Sequence, residues 1–247
     1  MDRVENVAAG DTAKSATWNG VQDQAASLYQ VAWSWRGRRP TLACDGSNLI
    51  VGGHKGCSIG STQAGSVLMP ADSGTTLALS GLTGSTWYYL YAYDDSSSPG
   101  YEWSTTAPDS SLSHKTGDET RAYLGCFYAT GASTMRAFRA IDGCYLYDHS
   151  NVGACLALSG GTAGSFTDVS LAALMPPHAR CAHLYTLVTS GAPTDAARIR
   201  PNGSANAGTP IYAYATALWC ETDSTQAIEY QKDAANTVSI YCIGFAE

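Results

Sequence analysis

A period of two recurs in the hydrophobic runs of this chain, most clearly in the aromatic run between Thr86 and Tyr93. Trp87, Tyr89, Tyr91 and Tyr93 fall on one face of a period-two run, with Tyr88, Leu90 and Ala92 on the other. A pleated strand imposes this period, because its successive side chains point to opposite sides. Further runs at 123–128 and 135–141 follow across polar loops at 94–100 and 107–120. Asp142-Gly143 then separates two apolar runs, which predicts a tight hairpin with positive φ at Gly143. In the second half, strands are expected at 165–169, 179–189, 195–200, 211–220, 225–231 and 237–245. Turns at Pro176-Pro177, Asn202-Gly203 and 234–236 separate them.

One segment follows a different period. Trp18, Val21, Ala25, Leu28, Ala32 and Trp35 recur at spacings 3, 4, 3, 4, 3, a heptad seam of about two and a half repeats. It predicts a helix with Thr17 as N-cap, ended by Gly37 and Pro40. The seam is satisfied either by docking on the protein's own β structure or by packing against copies of itself about a symmetry axis. Residues 1–16 are polar and aperiodic, and read as an arm that orders against a partner. Arg36, Arg38 and Arg39 either complement the helix C-terminus or face an acidic partner.

Together these patterns predict a mainly β protein: a short N-terminal helix followed by two antiparallel β-sandwich or jelly-roll-like domains. The expected divisions are 1–39 for attachment and oligomerisation, 40–149 for the first β domain, and 150–247 for a C-terminal sandwich. The residue content agrees: 25 Gly and 15 Tyr suit a turn-rich β protein, and 45% hydrophobic residues allow ample burial. A net charge of −7 argues against a nucleic-acid binder. No apolar run is long enough for a membrane-spanning helix. The eight cysteines show no CxxC spacing, so they are expected as free thiols, with Cys126, Cys144, Cys181 and Cys242 as small buried hydrophobes.

The segments WYYLYAYDD, STTAP, HKTGDETRAYLGCFYATGAS and FRAIDGCYLY together resemble a stretch found in virion proteins of tailed bacteriophages, mostly fibre-like ones. FTDVSLAALMPPHARCAHLYTLV, TDSTQAIEYQ and SIYCIGFAE extend the likeness, which covers roughly residues 40–247. These segments frame a fold and carry no catalytic motif. The resemblance implies a virion component assembled in the host cytoplasm, a homotrimer, and contacts with tail, portal-adaptor or capsid proteins.

Residue patterns that carry chemistry are few. Asp94, Asp95, Glu102, Asp118, Glu119 and Glu229 are carboxylates with no spacing that fixes a catalytic pair. Among His54, His114, His149, His178 and His183, only His178 and His183, with Cys181 between, form a local metal-type cluster, and the strand parity sets His178 apart. There is no nucleophile elbow and no phosphate loop. No catalytic residue, cofactor or metal is therefore expected. Tyr88, Tyr101 and Trp103, near or beyond strand ends, are the candidates for exposed sugar contact. The functional expectation is a non-enzymatic, fibre-like structural component. The alternatives are a capsid decoration protein, an adhesin for a host receptor or polysaccharide, and, as the enzyme choice, a polysaccharide depolymerase.

Overall fold

The computed structural model describes residues 39–54, 57–59, 67–69, 72–95, 98–148, 153–189, 197–211, 214–233 and 237–247. The arm at 1–16 and the whole predicted seam from Trp18 to Trp35 lie outside these residues. Among the described residues the chain forms nineteen strands and no α-helix. The first half holds β1 (Leu42–Cys44), β2 (Asn48–His54), β3 (Cys57–Ile59), β4 (Val67–Met69), β5 (Asp72–Ala78), β6 (Thr86–Asp95), β7 (Ser98–Ser104), β8 (His114–Lys115), β9 (Asp118–Ala129), β10 (Phe138–Ile141) and β11 (Cys144–Tyr147). The second holds β12 (Leu156–Gly161), β13 (Thr167–Ser170), β14 (Cys181–Thr189), β15 (Ala197–Pro201), β16 (Thr209–Ile211), β17 (Tyr214–Glu221), β18 (Ala227–Lys232) and β19 (Thr237–Ala246).

All the pairings are antiparallel. The largest sheet has nine strands in the order β17-β14-β19-β11-β10-β1-β2-β5, with β12 also paired to β19. It draws strands from both sides of the boundary expected near 149: Tyr145 of β11 pairs with Phe245 of β19, which pairs with Ala182 of β14. One continuous apolar core runs through both halves. The expected division into 40–149 and 150–247 therefore corresponds to no break in the sheet. Smaller four-stranded sheets, β7-β6-β9-β8 and β13-β18-β15-β16, and the β3-β4 hairpin complete the fold.

The aromatic strand β6 is buried on both faces. Tyr89 and Tyr91 on one side, and Tyr88, Leu90 and Ala92 on the other, are all buried. A strand covered on both sides needs apolar residues at both parities, as this one has. The Trp87–Tyr89–Tyr91 face meets the nine-stranded sheet: the Trp87 ring lies perpendicular to Phe245 at 5.8 Å, and Phe245 stacks on Tyr145 at 4.4 Å. Tyr145 Oη accepts the Cys126 backbone N–H at 2.9 Å, which joins the two sheets by a buried hydrogen bond. The β3-β4 hairpin lies against β6 and β9.

The Asp142-Gly143 turn forms as its sequence requires. Ile141 pairs with Cys144, and both turn residues have positive φ, 49° and 77°. Two loops expected from polarity hold more order than that. β6 and β7 form a close hairpin in which Asp95 pairs with Ser98. Within 107–120, the Asp109 carboxylate accepts the backbone N–H of Ser113 at 2.9 Å, and β8 pairs with β9.

Candidate functional site

Where the two large sheets meet, five polar side chains converge. Arg39 lies three residues ahead of Leu42, the first residue of β1, Tyr123 and Cys126 lie on β9, His178 sits in the Pro176–Ala179 turn, and Glu247 follows β19. Strand parity alone would place Tyr123 and Cys126 on opposite faces. A β-bulge reverses this: Leu90 pairs with Gly125 while Tyr91 pairs with Tyr123, leaving Leu124 as the extra residue. Tyr123 and Cys126 then share the inner face with Tyr89 and Tyr91. His178 is brought in by the turn closed by Ala179 N–H donating to Pro176 C=O at 3.1 Å. Glu247 is held by its own N–H, which donates to Gly143 C=O at 3.1 Å.

The Glu247 carboxylate is the hub, its side chain only 1% exposed. Arg39 Nη1 donates to Oε2. Oε1 accepts the Tyr123 hydroxyl at 2.6 Å, His178 Nε2 at 2.9 Å and the Cys126 thiol at 3.3 Å. The Arg39 guanidinium also lies over the Tyr123 ring, 4.8 Å from its centroid. A buried carboxylate survives desolvation only when its lone pairs are filled and its charge is paired, and here both conditions are met.

Protonation follows from this environment. Burial pushes the Cys126 thiol up to about 12, so the sulfur stays protonated. Burial also lifts the Tyr123 hydroxyl well above its usual range. Burial first, then the positive charges of Arg39 and Arg180, hold His178 down at about 4. The nearby carboxylate pulls the other way, but its charge is already shared with Arg39, and the lowered direction prevails. His178 is thus neutral, with Nε2–H directed at Glu247 and Tyr123.

Cys126, His178 and Glu247 each offer an atom of metal-ligating type, within 4.8 Å of one another. The arrangement does not favour a cation, because the Arg39 guanidinium already sits on the carboxylate. Nor does it suit nucleophilic catalysis, which requires a thiolate and an exposed base. What it does chemically is tie Arg39, β9, the His178 turn and the end of β19 to a single carboxylate.

The residues singled out in the sequence disperse. Glu102 accepts from Lys115 and, at 2.6 Å, from Arg121. Burial raises its carboxyl, yet these two cations outweigh that and leave it below its usual range. Glu229 pairs with Arg200. The carboxylates of Asp94 and Asp95, the His54 side chain and all of His149 lie outside the described residues. His183 stacks on Trp219 at 4.5 Å, away from His178. Cys126 and Cys242 are buried as expected, but Cys144 and Cys181 are only half-buried, because both face outward beside Ala246.

Among the aromatics proposed for sugar contact, exposure of Tyr88 needs correction. It is 8% exposed, its ring stacks on Phe127 at 5.6 Å, and its hydroxyl accepts the Thr83 N–H at 2.9 Å. The cause is the cover on the second face of β6. Tyr101 and Trp103 are half-buried on the edge strand β7 and pack against the core.

The hub itself had no sequence signature. Its members lie up to 208 positions apart. The one local sign was Gly125 within an apolar run, a residue type that often marks a bulge. No family model, curated protein or solved structure matches this chain.

Proposed function

We propose that this chain is a non-enzymatic, fibre-like structural component of a tailed-phage virion, joined to its particle through its N-terminal residues. One observation carries the reading: the Glu247 carboxylate gathers Arg39, Tyr123, His178 and Cys126, and it fastens Arg39 to the end of β19. Force transmitted along the backbone to Arg39 enters the body there. From there it passes through a buried ion pair into β19 and along the backbone into β1, both interior strands of the nine-stranded sheet. Load delivered to interior strands is shared by neighbours on both sides, whereas an edge strand can be peeled away. The likeness of residues 40–247 to phage fibre-like proteins supports the same assignment.

Gold-labelled antibody against the protein, imaged on phage particles by electron microscopy, tests the proposal. Label at the tail or collar is the expected result. Label on the faces of the shell would favour capsid decoration, and particles without label would overturn a virion role. Release of reducing ends from host envelope polysaccharide by the purified protein would overturn the non-enzymatic part.

A further inference from the structure

Five large hydrophobic side chains stand exposed among the described residues: Ile50, Ile141, Leu146, Leu156 and Trp219, each between 38% and 63% exposed. Registers place all five on one surface, the outer face of the nine-stranded sheet. The pairing runs Ile50, Ala43, Arg139, Leu146, Gly244, His183, Trp219, one residue per strand. Leu156 reaches the same face through Tyr241 and Tyr185. The row has small residues at Ala43 and Gly244, and the surface around Ala43, Ile50, Arg139 and Leu146 is a shallow depression. Gathered apolar exposure on one face marks a surface that something covers.

We infer that residues 18–35 of the same chain cover it, laying Trp18, Val21, Ala25, Leu28, Ala32 and Trp35 across the strands. Two facts select this occupant over a second copy. The preceding chain arrives at the right place: Leu42 pairs with Ala140, so Thr41 comes in beside Ile141, and Arg39 Nη1 is 3.6 Å from where a Gly143 Cβ would stand. The connection is also short, with only Arg36, Gly37 and Arg38 between the seam and Arg39. Such a tether presents the seam to the face at millimolar effective concentration without the entropic cost of association. The assignment takes one of the two options that the heptad pattern leaves open, and it holds whether or not the protein is a virion part.

A photoreactive benzoylphenylalanine placed at position 28 of the full-length chain tests it directly. Irradiation followed by peptide mass spectrometry should give an adduct with the segment carrying Leu146 or Trp219, within one chain. An adduct between two chains, or none with the outer face, overturns the inference. Leu28→Asp, Leu146→Asp and the double variant supply a second test. Each single change should lower the urea midpoint by about half a molar, and the double should lose little more than either single, with molar mass by light scattering unchanged throughout. Additive losses, or a mass that falls with Leu28→Asp, would refute it.

Discussion

Arg39 and Glu247, 208 positions apart in the sequence, form an ion pair between the two large sheets, with side chains 12% and 1% exposed. Removing one member strands the other in a medium that cannot solvate it. Arg39→Ala should therefore destabilise the protein by about 3–5 kcal/mol, read from urea unfolding. Replacing both with methionine should cost clearly less than Arg39→Ala alone, because no buried charge is left without a partner. Equal losses from the two variants would mean that the pair contributes by packing and not by charge.

His178 gives the cluster a pH dependence of defined sign. In the folded protein the ring stays neutral down to about pH 4, while in the unfolded chain it takes up a proton near 6.5. Between these values the unfolded state binds more protons, so stability falls as pH drops from 6.5 toward 4 and is complete above 6.5. The loss is on the order of 3 kcal/mol. His178→Gln, whose amide can still donate to Glu247, should flatten this part of the curve of stability against pH. A variant curve parallel to the wild type would assign the dependence to other groups.

Gly125 sits at the bulge where β9 approaches the nine-stranded sheet, with φ of 155°. A Cβ there would overlap Leu42 Cδ1 and the Tyr145 hydroxyl. Gly125→Ala should cost about 2–3 kcal/mol and disturb the hydrogen bond from Cys126 N–H to Tyr145. Calorimetry measures the first effect, and amide hydrogen exchange at Cys126 the second.

Gly143 has a φ of 77° in the β10–β11 hairpin. Valine at this position should cost about 1–2 kcal/mol, lowering the melting temperature by several degrees. Asparagine, which tolerates the left-handed region, should be nearly neutral. An unchanged melting temperature for Gly143→Val would contradict the turn geometry.

Local patterns made much of this fold legible. The alternation at 86–93 marks β6, and the runs at 179–189 and 237–245 fall on β14 and β19, because side-chain period is a property of neighbouring residues. Asp142-Gly143 was readable for the same reason. Pairing partners were not: nothing near residue 145 says that Tyr145 lies opposite Phe245, so the sheet's passage across residue 149 had no visible sign. The hub was hidden twice over. Its five residues come from four separate places, and the Leu124 bulge inverts the parity that sorts Tyr123 from Cys126. Arg39 shows the limit of reading by type, since a basic residue after a predicted helix turned out to be the partner of a buried acid.

The place of β19 in the large sheet has a consequence for biosynthesis. It separates β11 from β14, so both keep a bare side until the ribosome has delivered residues 237–246. Nascent chains stalled or cut before that point would carry two open templates for pairing with strangers. Cells producing this protein should therefore see forms cut before residue 237 clump or be degraded.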